Sequence, residues 1–183
     1  MRFVVESVEV HERESVRTHV DRRAPAGDSV VIRGLQSCDR ELLPLILERL
    51  SPQSRIQRFL APRPLYSERD LSVISRVDGV NHAGVIALAG SQRSPIGAAH
   101  WVRSGNTEVA ETAIEVIDDW QRRGVGRLLI RELCVHATQA GIKRFEWFAF
   151  ESNRAVAALA RDLRDCSCRR IGDGVMKWSA AIG

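Results

Sequence analysis

The residues best equipped for chemistry lie between positions 111 and 127, which read ETAIEVIDDWQRRGVGR. A hydrophobic run leads into the acidic turn of Asp118 and Asp119. Gln121, Arg122, Arg123, Gly124, Val125, Gly126 and Arg127 follow, and a helical pattern starts at once. A helix start carries four unpaired backbone N–H groups and the positive end of the helix dipole. Glycines at 124 and 126 let a ligand approach the backbone closely, and the arginines add charge. The segment therefore suits an anion, above all a pyrophosphate. The hexad taken alone is equally compatible with a glycine-bearing helix start that binds nothing. Two other glycine-rich motifs do not fit. A dinucleotide fingerprint needs a third glycine where Leu129 stands, and a P-loop needs a Gly-Lys-Ser/Thr triplet that is absent.

Periodicity and punctuation place this segment within a series of elements. A short strand is expected over 30–32, then a helix over about 40–50 with Asp39 as its N-cap and Pro44 as an early irregularity. Ser51-Pro52 is a strong second start signal, for a helix that stops near Leu60, before Pro62 and Pro64. Three strands follow at 82–89, 96–102 and 107–117, with turns at 91–95 and 104–106. A helix over 124–140 carries Val125, Leu128, Leu129, Leu133 and Ala137 at helical spacing and stops at Gly141. A rich strand over 144–150 leads to an alanine-rich helix capped by Ser152 and ending near Leu163. Two short strands near 168–172 and 174–181 complete the order. A meander followed by a crossover helix makes an α/β (α+β) domain with a mixed, mostly antiparallel sheet flanked by helices. Residues 1–28 form an N-terminal arm or an extra strand, with partial alternation at Val4, Val8 and Val10, and 29–183 form the domain proper.

Composition narrows the function classes. At 183 residues, with 44% hydrophobic and 27% charged residues, the chain has the make-up of one globular domain. No apolar stretch approaches the roughly 20 residues that span a bilayer, and the early run Phe3 to Val5 is far too short for a signal peptide. The expectation is a cytoplasmic protein with no membrane partner. Cys38, Cys134, Cys166 and Cys168 lack ligand spacing, so no metal is expected and the thiols are read as reduced and structural. The net charge of +4 rests almost wholly on arginine, with Lys143 and Lys177 the only lysines. The arginines are dispersed rather than clustered, so no nucleic-acid partner is expected.

Gln121 to Gly126 resembles motif A of the GNAT acetyltransferases, Q/R-x-x-G-x-G/A, which holds the cofactor pyrophosphate between a strand and a helix. Asn153 resembles that family's asparagine at the start of the following helix. The resemblance spans about residues 29–180. Upstream, LSPQSRIQRF at 50–59 resembles the L-S-P-E-S-R-x-x-R-F signature of bacterial protein-lysine acetyltransferase domains, and Ala110-Glu111 matches their A-E dipeptide. Relatives fuse the domain to a cyclic-nucleotide-binding module or an acyl-CoA synthetase; this chain, shorter than either fusion, looks like a stand-alone version.

The resemblance implies an N-acetyltransferase that uses acetyl-CoA as co-substrate, takes an amine acceptor such as a protein lysine, and leaves room for a homodimer. It implies cofactor contacts from backbone at Val116 and Ile117, where the family's β-bulge splays the strand from its neighbour, from residues 121–127, and from Asn153. Without the family, Asn153 reads as a plain helix cap. Glu111 matches the family's general base; a free lysine has a pKa near 10.4 and must lose a proton before attack. The strand is expected to be central and mostly buried, and burial would raise the basicity of Glu111. Glu115, on the same face of that strand, is open between a second acid/base group, a reader of substrate charge and a side chain pushed outward by the bulge. The tyrosine that many family members use as general acid is missing, and the only tyrosine is Tyr66. Two further functions stay open: acetylation of a small amine, and an acyl-CoA-binding sensor without turnover. The aromatic residues Trp101, Trp120, Trp147, Phe148 and Phe150 read as packing.

Overall fold

The computed structural model describes residues 20–23, 29–62 and 76–183. Within them the strands are β1 (Val20–Arg23), β2 (Ser29–Gly34), β3 (His82–Ala89), β4 (Ser94–Arg103), β5 (Val109–Val116), β6 (Arg144–Phe150), β7 (Arg164–Gly172) and β8 (Val175–Ala181). The helices are α1 (Leu42–Glu48), α2 (Pro52–Phe59), α3 (Val125–Gln139) and α4 (Arg154–Arg161), with 3-10 turns at Ser37–Glu41 and Asp118–Trp120. The strands form one eight-stranded sheet in the order β1-β2-β3-β4-β5-β6-β8-β7. Every pairing is antiparallel except β5 with β6, which the crossover through α3 makes parallel. The mixed, mostly antiparallel sheet expected from the sequence is therefore present. No helix among the described residues is long and apolar enough to cross a membrane.

The core lies between the sheet and its helices. β3 is buried along its whole length, and Trp101, Phe145, Leu129 and Leu133 are fully enclosed. Such a strand is apolar on both faces because both faces are covered. The α3 side of the sheet is packed tightly. A Cβ on Gly97 would come 2.7 Å from the Glu115 carbonyl oxygen and 3.3 Å from Leu129 Cδ1, so only glycine fits where β4 meets β5 beneath α3.

Several local expectations need correction. Asp39 is not the N-cap of α1. It sits inside the preceding 3-10 turn, buried, where it accepts two 2.6 Å bonds from Arg33 and one of 2.8 Å from the Gln36 N–H. Pro44 occupies the first turn of α1, where an N–H has no helical partner, so it starts the helix rather than disturbing it. Asn153, not Ser152, caps α4. β7 begins at Arg164, earlier than expected, and the β4–β5 turn runs to Ser104–Glu108 before β5 resumes at Val109. Of the N-terminal segment, Val20–Arg23 pairs with β2 as an added edge strand; the alternating valines at 4–10 and Tyr66 lie outside the described residues.

Candidate active site

The parallel ladder between β5 and β6 covers only three pairs, Val109 with Arg144, Ala110 with Phe145 and Glu111 with Glu146. Beyond Glu111 the strands part, and a cleft of about 650 Å³ opens between β5, α2, α3 and α4. The expected bulge is not what opens it. The β4–β5 register runs unbroken from Gly97–Val116 to Arg103–Ala110, so β5 is regular and the splay comes from its divergence from β6. Register shifts occur instead in the β3–β4 pair, between Ala87 and Leu88, and in the β7–β8 pair.

At one end of the cleft lies the loop before α3. Gly124 is the N-cap at φ 83°, a left-handed conformation natural to glycine, and no side chain caps the helix. Arg122 also adopts a left-handed φ of 60°, unusual for a side-chain-bearing residue. It lines the cleft and makes no ion pair among the described residues. Such backbone strain is characteristic of ligand clamps. The N–H groups of Val125, Gly126 and Arg127 at this helix start have no side-chain cap, an arrangement suited to an anion. A Cβ on Gly126 would make ordinary contacts, 3.5 Å to Leu159 and 3.7 Å to Ile114. A small residue is tolerated there, whereas a long one must enter the cleft. Arg127 instead pairs on the surface with Asp162 at 2.6 Å, and the Arg123 guanidinium stacks 5.2 Å from the Trp120 ring centroid.

Gln121, Arg122, Gly124, Gly126, Arg127, Val116, Asn153 and Glu111 all line the cleft. Ile117, Arg123 and Val125 do not line it. Ile117 and Val125 are buried, and the Ile117 N–H is committed to the Ile96 carbonyl at 3.0 Å. The Val116 carbonyl accepts 3.0 Å from the Gln121 side-chain amide, so that backbone group is already engaged. Asn153 spends its Oδ1 on capping, accepting from the Val156 N–H at 3.1 Å, while it borders the cleft.

At the other end stand two carboxylates. Residues that pair in register share a face, so Glu111, Ala113 and Glu115 lie on the α2 side with Val102, His100 and Ala98. Their environments differ sharply. Glu111, expected to be buried, is instead exposed at the mouth of the cleft. Glu115 is the buried one, only 5% exposed, and its Oε2 accepts from Arg58 Nε at 2.6 Å. It is neither pushed outward nor free of a charge partner. His100, opposite Ala113, sits diagonally between the two glutamates. Burial, and then the Arg58 and His82 charges, keep its imidazole well below its ordinary pKa, so it is neutral at physiological pH.

The sequence reading left Arg58 and the rest of α2 without assigned roles, and the structure supplies them. Ser51 caps α2, accepting from the Ser54 N–H at 3.2 Å, with Pro52 at the first helical position. Arg55 donates to the carbonyls of Leu47 and Leu50 at 3.1 Å each, closing the end of α1. Arg58, one turn after Ser54, reaches Glu115. The buried Gln57 Oε1 has no hydrogen-bond partner among the described residues although Gln57 lines the cleft. An unmatched buried oxygen costs about 1–3 kcal/mol, and a ligand donor in the cleft would remove that cost. Donors at the uncapped helix start and this unmatched acceptor on the wall together fit an elongated, polar, phosphate-bearing carrier such as an acyl-CoA. No cluster of three or more His, Cys, Asp or Glu side chains suited to a metal exists among the described residues.

Comparison with known proteins agrees with this geometry. The family model "Acetyltransferase (GNAT) family" matches residues 47–163. The GNAT domain of Streptomyces lividans PAT superposes with a TM-score of 0.79 at 25% identity, covering 89% of this chain and 96% of that one. Acetyltransferase PA5475 of Pseudomonas aeruginosa is 27% identical over 135 residues, 73% of each chain. Acetyltransferase Pat of Mycolicibacterium smegmatis is 34% identical over 87 residues, which is 47% of this chain but only 26% of that protein. The chain thus spans about a quarter of that relative's length. The match to residues 47–163 covers the cleft from α2 to α4, and on it the chain belongs to the GNAT family of acetyltransferases.

Proposed function

We propose that this protein transfers an acetyl group from acetyl-CoA to an amine, foremost the side chain of a protein lysine, with Glu111 as general base. The observation that carries the reading is the cleft itself. It joins an uncapped helix N-terminus at one end to an exposed carboxylate at the other, along a strand whose neighbour has parted from it. Acetyl-CoA would supply an activated thioester carbonyl. The pyrophosphate would rest on the N–H groups of residues 124–127, with Arg122 adding its charge. Val116 and Asn153 border the path between loop and carboxylates.

The acceptor arrives as ammonium. At neutral pH only about one lysine in 1,000 is unprotonated, so a base near the attacking nitrogen lowers the barrier substantially. Glu111 is open to an incoming side chain, and its carboxylate takes the proton directly or through one water. Glu115 does not compete for this role, because its carboxylate already neutralises Arg58 within the wall of the cleft. His100 does not compete either, since a strongly lowered pKa makes it a poor proton acceptor. Among the described residues no tyrosine lines the cleft, and the departing coenzyme A thiolate is stable enough to take its proton from water. The lysine preference is supported by the 50–59 signature, whose residues form the acceptor-side wall.

Calorimetry with acetyl-CoA, followed by thiol-release assays on lysine peptides, spermidine and an aminoglycoside, tests the reading. Micromolar binding and turnover on a lysine peptide are expected. Absence of acetyl-CoA binding would sink the proposal. Binding without turnover on any amine would make the protein an acyl-CoA sensor, and turnover confined to spermidine or the aminoglycoside would replace the lysine.

A further inference from the structure

Helix α2 lines the cleft with Ser54, Gln57, Arg58 and Phe59, on the side we assign to the acceptor, and its residues are half-buried or exposed. Polar contacts hold much of it, and three of those at its start converge on one carboxylate. Asp118 Oδ2 accepts from the Ser51 N–H at 2.8 Å. Its Oδ1 accepts from the Ser51 hydroxyl at 2.8 Å and the Ser54 hydroxyl at 2.9 Å. Gln121 extends the clasp by donating its side-chain amide to the Ser54 Oγ at 3.2 Å and to the Val116 carbonyl at 3.0 Å. Asp118 opens the turn that delivers the chain to the anion-binding loop, so one residue ties the start of α2 to the cofactor end of the site. Burial works to raise the pKa of this carboxyl, but the donors at Ser51 and Ser54 outweigh it and hold the group below its usual range.

We propose that Asp118 is a positioning residue for acyl transfer: by clasping the N-terminus of α2 to the cofactor loop it sets where Arg58 and the acceptor-side wall stand relative to the thioester. It touches no reacting atom. Its effect passes through the rigid turn from Ser51 to Arg58, and Arg58 then meets Glu115, four residues along the strand from Glu111. The clasp also gives the 50–59 signature a physical task, because the Ser-Pro-x-Ser pattern presents one N–H and two hydroxyls to a single acceptor. The inference rests on the acetyltransferase reading of the cleft.

The test compares Asp118→Ala and Asp118→Asn with the wild type. Hydrogen exchange measures the amides of residues 55–60, calorimetry measures acetyl-CoA affinity, and steady-state kinetics uses a lysine-containing octapeptide. Asp118→Ala loses all three bonds, and exchange over 55–60 should quicken by at least about tenfold. Its KM for the peptide should rise and its kcat fall, together lowering kcat/KM about 10–100-fold, while acetyl-CoA affinity stays within about threefold. Asp118→Asn, which keeps some acceptor capacity, should fall between. Unchanged exchange in Asp118→Ala overturns the proposal whether or not the peptide is a substrate. Equal losses in acetyl-CoA affinity and peptide kinetics also overturn it, since Asp118 would then be supporting the whole domain. Failure of the wild type to bind acetyl-CoA would instead condemn the functional reading, and the exchange result would still decide the role of the clasp in holding α2.

Discussion

Replacing Glu111 with glutamine is the sharpest probe of the proposed chemistry, because Glu111 and Glu115 share a face but not an environment. Glu111 lies exposed at the mouth, whereas the Glu115 side chain is 1% exposed and paired with Arg58. Glu111→Gln keeps shape and hydrogen bonding but cannot take a proton. The variant must then wait for acceptor that is already neutral. For a lysine of pKa about 10.4 at pH 7.4 that is roughly one molecule in 1,000, equivalent to about 4 kcal/mol. Loss of kcat/KM should approach about 10³-fold, inside the range of about 10²–10⁴ usual for a general base. The deficit should shrink about tenfold for each unit of pH, nearly vanishing above about pH 10. Thermal stability should hold, since an exposed carboxylate without a buried partner contributes little to the fold. The assay is thiol release from acetyl-CoA with a lysine peptide from pH 6.5 to 10. A pH-independent deficit, or a wild-type rate, would show that Glu111 does not take the acceptor proton.

Glu115→Gln should behave in the opposite way. It leaves Arg58 as a mostly buried cation, at a cost of about 3 kcal/mol, the low end for a broken buried pair because glutamine still accepts a hydrogen bond. The melting temperature should fall by about 10 °C, and an unchanged melt would mean that the pair carries no stability. Gly126→Glu should place a carboxylate in the anion cradle. Two like charges about 4 Å apart repel by about 4 kcal/mol at an effective dielectric near 20, so acetyl-CoA affinity should drop at least about 100-fold with the fold intact; wild-type calorimetry would remove this loop from the site. Stability should also decline as pH falls below about 6.5. Burial, the first cause in each case, lowers the pKa of His100 and His136, so the unfolded chain binds protons there before the folded one does. His100→Asn should flatten part of that slope in denaturant titrations at pH 5 and 7, and an unaltered slope would assign the acid sensitivity elsewhere. Activity should survive a chelator and gain nothing from added zinc, and restoration by zinc of a chelated, inactive enzyme would contradict a metal-free mechanism.

What could be read from the sequence divides by the kind of physics involved. Strands β3 and β6 and helix α3 were placed nearly residue for residue, because their signals are local: a continuous apolar run, a β-rich hexad and a stop glycine. The glycine-bearing start of α3 was equally local, although the hexad alone left open whether an anion rests on it. Burial was expected at Glu111, which is exposed, while Glu115, whose role was left open, is the covered one. Alternation shows that Glu111 and Glu115 share a face, but only the tertiary placement of α2 decides which one is covered. The same holds for Asp39 and Ser152, where a capping residue type was correctly noticed but a neighbour, the Arg33 guanidinium in one case and Asn153 in the other, took the decisive bond.

The 50–59 signature shows how family resemblance and physics can inform each other. As a pattern it pointed to a kind of enzyme and left its serines and arginines without assigned work. In the structure each has a partner distant in sequence or beyond its own helix: Ser51 and Ser54 meet Asp118, Arg55 meets α1, and Arg58 meets Glu115. Side chains with such partners act as a unit, so changes at Asp118 and Ser54 should combine non-additively while either should add to a change at Arg127, which pairs elsewhere with Asp162. The hallmark therefore marks how this wall of the cleft is held, and in the proposed mechanism the chemistry falls to the exposed Glu111, whose position on β5 depends on none of those bonds.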